Sequence, residues 1–253
     1  MTQLVVTDVS VRFGGITALD GLSFSVEPGQ ICGLIGPNGA GKTTLFNCVS
    51  RIYDTSSGSI TLGDTDLLAL PAHRIAHHGV ARTFQNLGLF PSLTFLENTM
   101  AGAYARSRVG YLRAVTRVGV AKEERTLRTQ AFELLDFLGL SHLAFEKAAD
   151  QPFGTLKRLE LARALAAKPR LLLLDEPAGG LTHGEVDELT EVIRRVRDSF
   201  GLTVLLVEHH MAMVMGISDH VVAMNFGRKI ADGAPETVRS HPEVVSAYLG
   251  APA

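Results

Sequence analysis

A chain of 253 residues has room for one large domain, or for a domain with an added lobe. Its formal charge of -2 lacks the positive balance of a nucleic-acid binder, and its 46% hydrophobic content is enough for a sizeable core. Its two cysteines, Cys32 and Cys48, make neither a disulfide framework nor a metal-type spacing, and read as small apolar core residues in a reducing compartment.

The stretch from Met1 to Asp8 joins no basic region to an apolar run, so no signal peptide is expected. No apolar stretch approaches the roughly 20 residues that span a bilayer, so membrane attachment is expected only through a partner. Leu4–Phe13 and Leu22–Val26 carry β-branched alternation, with Gly14 and Gly15 as a turn between them. Glu27, Pro28 and Gly29 form a second turn signal. Ile31–Ile35 is a short apolar run that ends in a glycine-rich loop, and Thr43–Val49 has helical character. Strand, loop and helix in that order open a parallel α/β unit.

Gly58–Leu62 reads as a further strand. From about Leu93 to Leu140 the pattern turns helical, with Leu134, Leu135 and Leu138 at helical spacing and Ser141 as a capping-type residue. Strand signals return at Leu171–Leu174, Val204–Val207 and Val221–Met224, with a helix over Glu185–Phe200 between the first two. The expected organisation is an α/β core interrupted by a mostly helical insert. A basic stretch, Arg106, Arg108, Arg113, Arg117, Lys122, Arg125 and Arg128, falls in that insert. Its plain reading is a solvated helical face; the functional one is contact with anionic headgroups or a membrane-side partner.

Gly36, Pro37, Asn38, Gly39, Ala40, Gly41, Lys42 and Thr43 fit G-x-x-x-x-G-K-[ST]. A polyphosphate needs many N–H donors aimed at one point, and glycines allow the backbone to approach closely enough. The following helix adds its positive end. Lys42 is expected to reach the β and γ phosphates and the Thr43 hydroxyl to bind Mg²⁺, with Thr44 next to it. The Lys42 side chain is expected to be solvated in the absence of nucleotide.

Leu171–Leu174 is closed by Asp175 and Glu176. Four apolar residues before two acids describe a strand buried on both faces, and open α/β sheets place ligands at such carboxyl ends. Asp175 suits Mg²⁺, directly or through water, and Glu176 suits the polarisation of an attacking water. Val204–Val207 ends in Glu208, His209 and His210. A histidine there is usually structural, but it could instead meet a γ-phosphate.

In this order the pieces resemble the ATP-binding subunit of an ABC transporter over essentially the whole length. The resemblance implies an α/β P-loop NTPase of ABC type: a mostly parallel core sheet, an antiparallel β lobe and a helical subdomain. Residues 1–84 and 165–253 would form the core and lobe, and about 85–164 the helical part carrying the signature. It also implies ATP with Mg²⁺, and a Q-loop role for Gln85, which would touch Mg²⁺ and couple to the membrane partner. Phe13 would stack on adenine, and His209 would be the switch histidine. Residues 178–182 occupy the D-loop position, with Thr182 where an aspartate is usual. The signature departs from Leu-Ser-Gly-Gly-Gln: Gln151, Pro152, Phe153, Gly154 and Thr155 stand there. Pro152 has neither hydroxyl nor N–H, so contact with a partner's γ-phosphate would rest on Gly154, Thr155 and the helix N-terminus.

Within the family the chain is most similar to ATPases of branched-chain amino acid importers, through Phe13–Leu19, Gly79–Asn86, Val207–Met211, Val214–Asp219 and Ala247–Gly250. This similarity implies two permease subunits, a second ATPase subunit, identical or sister, and indirectly a solute-binding protein. It places the chain at the cytoplasmic face of the plasma membrane, with no nucleic-acid partner. The alternatives are an ATPase for a related solute such as urea or an amide, and a soluble ABC ATPase acting on nucleic acid or ribosomes. Against the latter, no long heptad run separates loop and signature, and only one such domain is present. A non-hydrolysing regulatory module is disfavoured by the presence of Lys42, Asp175, Glu176 and His209.

Overall fold

The computed structural model describes residues 3–104 and 120–249. The chain divides into two compact units, 1–82 with 170–253, and 83–169.

The first unit contains two sheets. β1 (Leu4–Phe13) and β2 (Ile16–Val26) form a hairpin across Gly14 and Gly15, with Phe13 opposite Ile16. β2 starts six residues earlier than its alternation indicates, because Thr17, Asp20 and Gly21 break the apolar pattern while the backbone continues to pair with β1. β4 (Ser57–Leu62) and β5 (Thr65–Asp66) complete an antiparallel sheet in the order β2-β1-β4-β5.

The larger sheet follows the order β10-β9-β3-β8-β7-β6. Its strands are β3 (Ile31–Ile35), β6 (Val80–Arg82), β7 (Leu171–Asp175), β8 (Thr203–Val207), β9 (His220–Asn225) and β10 (Arg228–Gly233). All its pairings are parallel except β9 with β10. Every residue of β3, β7 and β8 is buried, which is why each reads as an unbroken apolar run rather than an alternating one. Cys32 and Cys48 lie in this core as free thiols. Burial pushes both thiols up, Cys48 to about 11, so neither is a reactive thiolate at neutral pH.

α1 (Lys42–Val49) follows β3, and α5 (His183–Phe200) follows β7. α5 buries Val186, Leu189, Val192, Ile193 and Val196, one stripe at helical spacing. Each such burial is worth about 1.5–3 kcal/mol. α5 begins two residues before the sequence signal because Thr182 caps it, with Glu185 returning to the Thr182 N–H at 2.8 Å. α6 (Met211–Ile217), α7 (Pro235–Arg239) and α8 (Pro242–Leu249) close the unit.

The second unit is helical: α2 (Phe95–Ala103), α3 (Val120–Phe137) and α4 (Phe153–Ala166). A Cβ on Gly102 would sit 1.9 Å from the Arg163 carbonyl, so α2 and α4 cross at a point only glycine allows. Ser141 is not a cap: it opens a short 3-10 turn whose cap position is Leu140. The effective cap is Thr94, which forms a capping box with Glu97 at the start of α2. Of the basic stretch, Arg125 and Arg128 are exposed on α3; Arg106, Arg108, Arg113, Arg117 and the Lys122 side chain lie outside the described residues. Among the described residues, no helix is long and apolar enough to cross a membrane.

Candidate active site

Three adjacent strands of the first unit, β3, β8 and β7, end side by side. The register is level: Leu34 and Asp175 both pair with Val207. Parallel strands in this register deliver the residues after β3, β7 and β8 to one edge of the sheet.

The loop after β3 has its glycines where the backbone demands them. Gly36 has φ +154, and a Cβ there would lie 2.3 Å from the Met224 carbonyl. Gly41 has φ +103, and its Cβ would lie 2.6 Å from the Ala18 carbonyl. α1 starts directly after Gly41 and has no acid in its first turn, so its N-terminal end can receive an anion. Asn38, Gly39 and Thr43 are exposed, Pro37 and Thr44 half-buried, and Ala40 buried.

Lys42 differs from the sequence expectation. It is 6% exposed, not solvated. Its ammonium donates to the Gly36 carbonyl at 2.6 Å and the Pro37 carbonyl at 3.0 Å, so it folds back over its own loop. Burial holds it below the usual lysine range, while the Glu176 and Asp175 carboxylates act the other way.

Asp175 closes β7 and pairs with Arg82 at 2.8 Å, both side chains being largely buried. Arg82 also donates to Asn47 Oδ1 at 2.7 Å and stands over the Phe46 ring, so it links β6, β7 and α1. The sequence reading gave Arg82 no role, because nothing local marks a cation that will be buried beside an acid 93 positions away.

Glu176 has φ +47, a backbone region that side chains other than glycine seldom adopt. Its N–H donates to the Val207 carbonyl at 2.8 Å, which fixes the turn out of β7. Its Oε1 lies 3.0 Å from His209 Nε2. The strained residue is therefore aimed at the histidine leaving the neighbouring strand.

Glu208 was also missed. It is 2% exposed, and its carboxylate accepts the Ala178 N–H at 2.7 Å and the N–H groups of His209 and His210 at 2.6 and 3.0 Å. One buried carboxylate thus holds both the segment after Glu176 and the segment carrying His209. The visible signal was the acid inside an otherwise apolar strand end.

Phe13 ends β1 and is 46% exposed, with Tyr53 edge-on at 5.2 Å. It is a surface aromatic, not a core phenylalanine. In the second unit, Gln85 is exposed in the segment before α2. Pro152 is the N-cap of α4 and offers no side-chain cap; Gly154 and Thr155 lie in the helix's first turn, which holds no acid. Buried Glu160, on the same helix, accepts the Phe84 N–H at 2.9 Å, and burial pushes its carboxyl up.

A polyphosphate fits the loop: its glycines admit close approach, and Lys42 and the α1 terminus supply positive charge. Among the described residues, no cluster of three or more histidine, cysteine or acidic side chains could hold a metal alone. A hard cation here would combine a few oxygen donors, such as Thr43 and Asp175, with ligand phosphates.

The profile of the ABC transporter family matches residues 19–179, well over half the chain. The chain belongs to the ABC transporter ATPase family. A second profile, for the branched-chain amino acid ATP-binding cassette transporter, matches residues 228–253. The high-affinity branched-chain amino acid transport ATP-binding protein BraF of Pseudomonas aeruginosa is 41% identical, over 98% of this chain and 97% of that one. Its counterpart LivG of Escherichia coli K12 is 39% identical, with the same shares covered. The ADP conformation of MJ1267, an ATP-binding cassette of an ABC transporter, superposes with a TM-score of 0.86 at 32% identity, covering 99% of each chain. As an ABC ATPase the chain binds ATP and couples its hydrolysis to transport.

Proposed function

We propose that the chain energises an importer of branched-chain or other hydrophobic amino acids. Its relatives BraF and LivG are named for branched-chain amino acid transport, and the match at 228–253 lies in the segment characteristic of that group. Two permease subunits and a second ATPase subunit would complete the assembly at the cytoplasmic face of the plasma membrane, with a solute-binding protein acting indirectly.

In this reading Lys42 and the amides of residues 38–44 bind the triphosphate, and Phe13 stacks on adenine. Thr43 and Asp175 hold Mg²⁺, which offsets phosphate charge; Gln85, by resemblance alone, joins them and reports to the permease. Glu176 polarises the attacking water. His209 holds Glu176 in place and faces the γ-phosphate. A second chain's Gly154 and Thr155, at the start of its α4, close over that phosphate.

The supporting observation is the 3.0 Å contact between His209 Nε2 and Glu176 Oε1, at the ends of strands flanked by the phosphate loop. Glu176→Gln is expected to keep ATP binding and to slow hydrolysis by at least about a hundredfold, the range of a general base. It should also trap an ATP-bound dimer. Near-normal turnover by the variant would withdraw the assignment.

A further inference from the structure

The C-terminal helix reaches the first residue of the phosphate loop. Val244 of α8 is buried in a cluster with Ile35, Val221 and Ala223, which seats the helix on the core sheet. From its last turn, the Tyr248 hydroxyl accepts the Gly36 N–H at 2.7 Å. Gly36 is where the chain leaves β3, and a Cβ there would lie 2.3 Å from the Met224 carbonyl. Its N–H is therefore spent on Tyr248 and is not a phosphate donor.

Two further observations make this hydrogen bond a tie and not one packed contact among many. A cavity of about 480 Å³, lined by Pro37, Asn38, Phe226, Glu243 and Ser246 among others, lies between the loop and this helix. Burial also pushes the Tyr248 phenol up, with the Gly36 N–H acting the other way, so the hydroxyl stays protonated at neutral pH. Tyr248 lies in the segment matched by the branched-chain profile and outside the general ABC match.

We infer that Tyr248 is a positioning residue for nucleotide binding: by accepting the Gly36 N–H it sets where the phosphate loop leaves β3, and so ties ATP affinity to the seating of the C-terminal helix. The inference rests on the nucleotide-binding reading of the loop. It places the effect on the loop's ground-state geometry and not on the attacking water, so affinity responds more than turnover.

The test is Tyr248→Phe, which keeps the ring and removes the acceptor. ATP and ADP dissociation constants, measured by titration calorimetry, are expected to rise about 2- to 13-fold, the worth of one hydrogen bond. KM for ATP should rise with them, and kcat should fall by much less. The Gly36 amide, followed by hydrogen exchange, should lose protection in the variant. A purely structural tyrosine would lower the melting temperature with ATP affinity and Gly36 protection unchanged, and that result overturns the inference. Wild type serves as the control for the underlying reading: if it binds no ATP, that reading fails, whereas equal binding by wild type and variant defeats only the role of Tyr248. Should the variant not fold, wild-type Gly36 decides, since exchange at the rate of an open loop amide overturns the proposal.

Discussion

The Glu208 carboxylate accepts the Ala178 N–H at 2.7 Å, joining the chain that leaves β7 to the chain that leaves β8. The same carboxylate caps the His209 and His210 amides. Glu208→Gln is expected to be nearly as harmful as Glu208→Ala, because an amide NH₂ would face one set of N–H donors whichever way it turned. Each leaves a buried donor unmet, a cost of about 1–3 kcal/mol. The melting temperature should fall in both variants, and kcat by about tenfold as the Glu176–His209 pair loosens, a barrier change of about 1.4 kcal/mol. A normal kcat in a stable Glu208→Gln protein would show that the carboxylate does not organise the site.

Lys42→Ala tests the loop. The ammonium is its principal fixed cation, so most ATP affinity should disappear in an equilibrium binding assay. Because Lys42 also holds the Gly36 and Pro37 carbonyls, a small stability loss of about 1 kcal/mol is expected as well. Unchanged ATP affinity would remove the phosphate-loop assignment.

Phe13→Ala should weaken ATP and GTP binding by similar factors, since an aromatic face offers no base-edge hydrogen bonds. With Phe13 46% exposed, the melting temperature should hardly move. Competitive binding of the two nucleotides, read beside a thermal melt, checks both statements. A large melting loss with normal affinity would make Phe13 a packing residue.

The signature bears on coupling. Pro152 caps α4 without a side-chain bond, and Thr155 stands where a glutamine is usual. The isolated chain is expected to pair weakly and to be a slow ATPase, with permease subunits raising the effective concentration of the pair. Gln85→Ala should reduce the stimulation by the permease pair more than it reduces basal turnover. Steady-state ATPase with and without the permeases in nanodiscs provides the comparison; equal fractional losses would leave Gln85 as a magnesium ligand alone.

The phosphate loop, the acids after Leu174 and the histidine after Val207 were legible because their chemistry is contiguous in the chain. Each follows a buried strand, and a strand covered on both faces writes itself as an apolar run. Lys42 was recognised, yet its burial was not, because only the folded loop brings the Gly36 and Pro37 carbonyls to its ammonium. The start of β2 was missed for a related reason: backbone pairing with β1 continues through residues whose side chains break the pattern.

Read alone, the sequence shows the family, the buried strands β3, β7, β8 and β9, and which residue types stand where phosphate chemistry needs them, but not β5, β6, β10 or the helices after β8. How those residues are held emerges with the fold. Glu208 meets Ala178 across 30 positions, Arg82 meets Asp175 across 93, and Tyr248 meets Gly36 across 212. A hydrogen bond needs its partners within about 3 Å, and distance along the chain carries no information about that separation until the sheet has set its strand order and register.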